Sequence, residues 1–346
     1  MKPFECVCGA RLFFENVSCL TCGKELGFIP ELQTLSAIEP GSNGAYSAYA
    51  NPQHFYKKCD NYAVHNACNW LVPAASEGNF CRACQLSRVI PSLSSEENRV
   101  KWVRLEAAKR RLVYTIDQLA LPLTSKFADA EHGLAFDFKA ATGGDIVLTG
   151  HEDGIVTLAL SEADPVVREK TRVAMREPYR SLLGHFRHES GHYYFNVLLQ
   201  SEQQLAAFRE LFGDERQDYS LALEKHYSSE KGSEVPDDFV SHYATAHPWE
   251  DWAETWAHYL HMVDTLETAQ SFGVIGRVPA GFDKMLEAWL ELTVILNSLN
   301  RSMGLADAYP FQIGTGVRRK LAFVHKAIVN PPTQCNSDPT EHARTV

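Results

Sequence analysis

Eight cysteines in the first 84 residues constrain the front of this chain more than any other feature. They form two groups of four, Cys6, Cys8, Cys19 and Cys22, and Cys59, Cys68, Cys81 and Cys84. Three pairs have the C-x-C or C-x2-C spacing that lets two thiolates face one ion, and Gly9 and Gly23 permit tight turns after two of them. Each group therefore predicts a closed tetrahedral zinc site that supplies folding energy and leaves no position for water.

Several alternatives remain for these cysteines. Iron could replace zinc, or the thiols could be reduced and packed as hydrophobic side chains. His65 could replace one thiolate, and the two sites could interleave. The ninth cysteine, Cys335, lies in a polar tail with prolines and is predicted to be an incidental thiol. The start, "MKPFECVCGA", lacks the apolar core of a signal peptide, which favours metal thiolates over disulfides and predicts a cytoplasmic location.

The chain of 346 residues is long enough for one main domain and smaller modules. We predict a zinc-ribbon-like module at 1–30, a linker rich in Ser, Gly, Ala and Pro at 31–51, a second four-cysteine module at 52–95, a main domain at 96–330 and a tail at 331–346. No apolar run approaches the roughly 20 residues of a membrane-spanning helix. The net charge of −10 argues against nucleic acid as a partner. The basic cluster 109–111 is predicted to be a solvated helix face.

The main domain is predicted to be α+β, mainly helical with a small sheet. An amphipathic helix with a serine N-cap follows residue 94, and "GLAFDFKA" and "DIVLTGHEDGIVTLALSEADP" contain two or three strands. The strand "GIVTLALS" could provide a sheet edge on which an extended peptide lies. Helical sequence then runs from Asp164, a suitable cap, to about Leu199, and Pro178 is expected to divide it into two helices.

The second of those helices carries "HESGH". Its spacing places His188 and His192 one turn apart on the same face, so both imidazoles can bind one cation. Glu189 projects beside them toward a water on that cation, and Gly191 leaves room for close packing behind the helix. HExxH on a helix is a signature of zinc hydrolases. The alternative is an ordinary amphipathic helix whose histidines form local hydrogen bonds.

A catalytic zinc needs a third protein ligand. A helix that begins near Pro248 carries Glu250 and Glu254 one turn apart, so one carboxylate can bind the metal while the other accepts a hydrogen bond from a ligand histidine. Buried acids near aromatic side chains need a compensating cation. The aromatic residues around these acids are Trp249, Trp252, Trp256 and Tyr259. Glu254 partnered by His258, or His258 or His261 as the direct ligand, are alternatives.

"HESGH" followed by "EDWAETW" resembles the HExxH and ExxAE pairing of gluzincins, the zincin metallopeptidases with a glutamate as third ligand. The similarity is to the group that includes anthrax lethal factor and proline-specific endopeptidases. It implies that Glu250 joins His188 and His192 as a zinc ligand, that Glu254 supports a ligand from behind, and that Tyr243 stabilises the oxyanion. A core tyrosine is the alternative for that last residue.

The whole layout, including "CNWLVP", "AKRRL" and "EPYRSLLGHFRHESGHYYF", is similar to a bacterial family of zinc-binding metallopeptidases with a zinc-ribbon front end. Phe195 and Leu198 stand where a metzincin needs Gly and His, so that class is excluded. The long spacing from His192 to Glu250 predicts one or two inserted helices.

We therefore predict zinc-dependent hydrolysis of a protein or peptide substrate, with one catalytic and two structural zinc ions and with Glu189 as general base. The alternatives are a zinc-ribbon regulator that binds protein or nucleic acid and has an inactive HExxH site, and a structural zinc protein without turnover.

Overall fold

Strands dominate the first ninety residues of the structure, a computed structural model, and helices dominate the rest. It describes residues 1–141, 147, 149–228, 235–278 and 280–332. Cys335 and all but the first two residues of the predicted tail lie outside the described residues. The protein therefore has the predicted mixture of helix and sheet, with a cysteine-rich region first.

The front end consists of short strands and one helical turn. Its elements are β1 (Phe4–Glu5), β2 (Arg11–Leu12), β3 (Leu26–Ile29), β4 (Thr34–Pro40), β5 (Tyr46–Ala48), β6 (Asn51–Lys58), α1 (Asp60–Ala63), β7 (Leu71–Pro73) and β8 (Ser87–Val89). β1 pairs with β2, and β3 to β7 form an antiparallel sheet in chain order. A β-bridge joins Phe28 of β3 to Trp70, the residue directly before β7. The first strand of the sheet therefore lies close to the start of the last one.

The segment that the sequence predicts as a linker, residues 31–51, instead forms the middle of this sheet. Leu35 and Ile38 are buried within β4, so the segment contributes to the core of the front end. Gly41, Ser42, Asn43 and Gly44 lie in the turn between β4 and β5, where Asn43 and Gly44 have positive φ angles. The predicted module boundaries near residues 30 and 51 thus fall inside one continuous sheet.

The rest of the chain packs helices against a second sheet. Its elements are α2 (Glu96–Gln118), β9 (Ala135–Lys139), β10 (Gly150–Glu152), β11 (Ile155–Ala159), α3 (Pro165–Met175), α4 (Leu182–Leu198), α5 (Glu202–Phe212), α6 (Tyr219–Ser228), α7 (Pro248–Ser271), α8 (Phe282–Ser302) and α9 (Thr315–Val329). The sheet order is β10-β11-β9-β8, and β8 pairs with β9 in parallel. The front end therefore contributes one strand to the sheet of the main domain.

Helix boundaries follow local signals. The Ser95 side chain accepts a hydrogen bond from a backbone N–H of α2, and Asp164 caps α3 with Pro165 in its first turn. The chain between α3 and α4 contains Pro178, and Ser181 caps α4.

The strand expected at a sheet edge, β11, lies between β10 and β9, because β10 adds to it as a hairpin partner. The short strand β10 is therefore the edge.

The basic cluster 109–111 of α2 is largely buried, so the predicted solvated face is wrong. Lys109 is fully buried and pairs with Glu106 at 2.9 Å. Arg110 is 5% exposed and donates a hydrogen bond to the carbonyl of Ala67. Arg111 is exposed and pairs with Glu15. The reason is that α2 is enclosed between the front end and the main domain, which sequence periodicity alone does not reveal.

Helices α4 and α7 pack closely, and Gly191 makes this possible. A Cβ atom at this position would lie 2.9 Å from the Cα atom of Ala253 and 3.1 Å from Cδ1 of Trp256. The indole of Trp252 donates to the carbonyl of Gly191 at 2.8 Å, and that of Trp256 donates to Ser190 Oγ at 3.1 Å. Trp252 and Trp256, two of the aromatic residues expected around the acids of α7, therefore bind α4 on the side that faces α7.

Among the described residues, no helix combines the length and the hydropathy that a membrane crossing requires.

Candidate active site

Three side chains from α4 and α7 converge at the centre of the main domain. Nε2 of His188 lies 3.0 Å from Oε2 of Glu250, and Nε2 of His192 lies 3.7 Å from the same oxygen. All three potential ligand atoms lie within 4.8 Å of one another. Ligand atoms around a tetrahedral zinc ion are expected about 3.3 Å apart, from zinc–ligand distances of about 2.0–2.1 Å. The two histidines of "HESGH" and Glu250 therefore have the arrangement of a three-residue zinc site.

The electrostatics of this site also suit a cation. Burial alone would raise the pKa of Glu250, whose residue is 1% exposed, but the imidazoles of His188 and His192 hold that pKa well below its usual range. Burial disfavours the charged form of His188, yet hydrogen bonds with Glu250 and Glu254 raise its pKa well above the ordinary value. Two buried carboxylates thus compete for the single charge that His188 can carry. A divalent cation would supply the positive charge that this donor set lacks.

Glu254 lies behind His188 rather than beside the other ligand atoms. Nδ1 of His188 donates to Oε1 of Glu254 at 2.7 Å, and Ser241 Oγ donates to Oε2 at 2.6 Å. In the neutral, metal-binding form of His188 this bond would keep the proton on Nδ1 and leave Nε2 free to bind an ion. The structure thus brings Glu250, and not Glu254, to the two imidazoles, and it assigns Ser241 as a partner that the sequence did not indicate.

Glu189 and Tyr243 border the same centre. Glu189 is 8% exposed, and burial raises the pKa of its carboxyl while the imidazoles of His188 and His192 lower it. The ring centroid of Tyr243 lies 5.8 Å from that of His188, in a short 3-10 turn, Tyr243–Thr245, that precedes α7. Both residues predicted to take part in chemistry are therefore adjacent to the three candidate ligands.

Two further residues at this centre were missed by sequence reasoning. The hydroxyl of Tyr219 donates to Oε1 of Glu250 at 2.5 Å. The ring of His151 stacks on that of His192, with centroids 5.9 Å apart. Burial lowers the pKa of His151 to about 3, and its Nε2 accepts a hydrogen bond from the backbone of Gly154. No sequence motif marks Tyr219, whereas His151 belongs to the "HEDG" stretch that was interpreted only as a turn.

The alternative histidine ligands have other partners. Nδ1 of His258 lies 2.8 Å from the Tyr309 hydroxyl, and Nδ1 of His261 lies 2.5 Å from the guanidinium of Arg187. His247 caps α7 by accepting a hydrogen bond from the Trp249 backbone. None of these histidines is among the candidate metal-binding groups of the described residues.

The eight front-end cysteines separate into the two predicted groups of four. Sγ atoms lie 3.7 Å apart for Cys6 and Cys22, and 3.8 Å apart for Cys68 and Cys81. Sulfur ligands of tetrahedral zinc are expected about 3.8 Å apart, from a zinc–sulfur distance of about 2.3 Å. His65 packs against the ring of Trp102 and belongs to neither group. The sites therefore do not interleave.

The two cysteine groups differ in exposure. Cys8 and Cys22 are exposed in the first group, whereas all four cysteines of the second group are buried. The charge of the Arg110 guanidinium interacts with the buried thiols Cys68, Cys81 and Cys84. A buried site with four thiolates therefore has a buried cation beside it.

Comparison with known proteins agrees with this arrangement. Residues 3–95 match a family model described as a zinc-ribbon domain, which includes both cysteine groups and the sheet between them. Residues 98–327 match the model of a family described as "Putative zinc-binding metallo-peptidase". That match covers well over half of the chain, and the chain belongs to this family.

Relatives extend over nearly the whole chain. Proteins of Mycobacterium bovis and of two strains of Mycobacterium tuberculosis, each named as uncharacterized, are 42% identical to it over 340 residues, which is 95% of this chain and 95% of theirs. No solved structure matches the chain.

Proposed function

We propose that this protein is a zinc-dependent peptidase of the gluzincin type that hydrolyses peptide bonds in a protein or peptide substrate. The observation that carries the proposal is the convergence of His188, His192 and Glu250 with the buried carboxyl of Glu189 beside them. A cytoplasmic location is part of the proposal. The net charge of −10 weighs against nucleic acid as the partner.

The chemistry divides among the residues of the site. A zinc ion held by His188, His192 and Glu250 would polarise the substrate carbonyl and lower the pKa of a bound water to about 7. Glu189 accepts the proton of the attacking water and returns it to the leaving amine, and burial brings its pKa toward the working range of a general base. The Tyr243 hydroxyl donates a hydrogen bond to the developing oxyanion.

The remaining metal sites have a structural role in this proposal. Four thiolates complete a tetrahedral shell, so each cysteine group leaves no position for substrate or water. The family descriptions name zinc for both parts of the chain, which supports zinc over iron. The proposed complement is two structural ions and one catalytic ion.

A second candidate function rests on the surface of the first cysteine group. Leu20 is 96% exposed and Val7 is 53% exposed, and each lies between two cysteines of that group. Exposed apolar side chains at such positions fit a surface that binds another protein. A regulator that binds through this surface and has an inactive HExxH site is the alternative function.

The Glu189→Gln variant separates the two candidates. It should keep its zinc and lose activity by a factor of about 10²–10⁴, because only the proton acceptor is removed. Proteome-wide labelling of new amino termini, with wild type against this variant, should show cleavage products with the wild type alone. Identical sets of termini would contradict the assigned chemistry and favour the regulator.

A further inference from the structure

The two oxygens of Glu250 have different partners. Oε2 faces the Nε2 atoms of His188 and His192 at 3.0 and 3.7 Å, whereas Oε1 accepts the hydroxyl hydrogen bond of Tyr219 at 2.5 Å. A hydroxyl that donates to a carboxylate at about 2.5–2.7 Å forms a strong, charge-assisted bond. The carboxylate plane is therefore fixed by a group that is not itself a candidate ligand.

The position of Tyr219 is fixed by the same turn that carries Glu250. Its ring packs edge to face against His247, with centroids 5.2 Å apart, and against Trp249 at 6.4 Å. These two residues flank the start of α7, directly before Glu250. The start of α7 therefore sets the distance between the Tyr219 hydroxyl and Oε1 of Glu250.

Helix α6 presents mostly exposed side chains apart from this contact. Leu221 is 64% exposed and Tyr227 is 52% exposed, while His226 is the buried residue of the helix. A helix with so little buried apolar surface gains little stability from packing. Its hydrogen bond to Glu250 is therefore a prominent contact with the rest of the molecule.

We propose that Tyr219 is a positioning residue that restricts Glu250 to binding the metal through Oε2 alone. A carboxylate free to turn can bind zinc through both oxygens and occupy the position that water needs, since zinc accepts five ligands as well as four. The hydrogen bond to Oε1 opposes that turn. This inference rests on the proposed function, in which the same three residues hold the ion.

A different role for Tyr219 would be simply to hold α6 over the site. Removal of the hydroxyl would then loosen α6 and leave the metal coordination as it is. Measurements on the metal itself distinguish this role from the positioning role.

The test compares Tyr219→Phe with Tyr227→Phe, which removes a hydroxyl from the same helix. Dipicolinate should remove the zinc of the three-residue site before the cysteine-bound zinc, because the closed four-thiolate shells leave no position for the chelator. Zinc affinity is then measured by chelator competition. Tyr219→Phe should weaken it by about 10–100-fold, the usual effect of losing a partner that orients a ligand. Tyr227→Phe should keep the affinity of the wild type.

The same site refilled with Co²⁺ reports the coordination number. The visible absorption of Co²⁺ becomes weaker as the number of ligands rises, so Tyr219→Phe should show a weaker band than the wild type and Tyr227→Phe the same band. Unchanged affinity and an unchanged spectrum in Tyr219→Phe would overturn the inference and leave the proposed function intact. A wild-type protein that binds only cysteine-bound zinc would overturn both.

Discussion

The contact between α4 and α7 should control both stability and metal binding, and Gly191→Ala tests it. The added Cβ atom would lie 2.9 Å from the backbone Cα atom of Ala253, which cannot rotate away, and 3.1 Å from Trp256. Overpacking of this kind costs about 1–3 kcal/mol, and the better helix propensity of alanine returns about 1 kcal/mol. We expect a net loss of up to about 2 kcal/mol. The two helices must also separate, which moves His188 and His192 away from Glu250.

Urea unfolding and zinc competition measure the two effects, with Asn196→Ala as the control. Asn196 is exposed on α4, so its replacement by alanine adds helix propensity without overpacking and should stabilise the protein by about 0.5 kcal/mol. Gly191→Ala should be less stable than wild type and bind zinc at the three-residue site more weakly. If Gly191→Ala were as stable as Asn196→Ala and bound zinc normally, the close packing of α4 on α7 would not position the ligands.

Two further predictions concern the other contacts of the metal sites. Glu254→Ala removes only the hydrogen-bond acceptor of His188 and should weaken zinc binding by about 10–100-fold. Glu250→Ala removes a candidate ligand and should weaken zinc binding by more. Chelator competition gives the order, and the reverse order would exchange their roles. Arg110→Met removes the buried cation beside the second cysteine group and should destabilise the front end by about 3 kcal/mol in urea unfolding. The control is Arg111→Met, at the exposed neighbour, which should retain the stability and zinc content of the wild type; equal stability of both variants would refute the role of Arg110.

Features that depend on neighbours in sequence were predictable. Asp164 with Pro165 predicts the start of α3, Pro178 predicts the break before α4, and cysteine spacing predicts both groups of four. The cap and the prolines act on their immediate neighbours in the chain, and the cysteines of each group lie within one short stretch of sequence. Local chemistry therefore decides them.

Features that depend on distant contacts were not predictable. The segment 31–51 has the composition of a linker, yet pairing with strands on both sides makes it part of a sheet. Lys109 and Arg110 appear solvated in the sequence because the residues that cover them come from other parts of the fold. Tyr219 lies 31 residues before Glu250, and only the structure shows that they share a hydrogen bond. The motifs "HESGH" and "EDWAETW" were recognisable in the sequence, while Tyr219 and Ser241, which hydrogen-bond to the glutamates of the second motif, were not.

The parallel pairing of β8 with β9 has a consequence for how the chain can be divided. A shortened protein that started at residue 96 would keep His188, His192 and Glu250 but would expose the hydrogen-bonding edge of β9. Because β8 begins three residues after Cys84, its position also depends on the ion that the second cysteine group would bind. We therefore expect zinc scarcity to disorder this edge of the main-domain sheet, so that the cysteine sites link the integrity of the candidate active site to zinc supply.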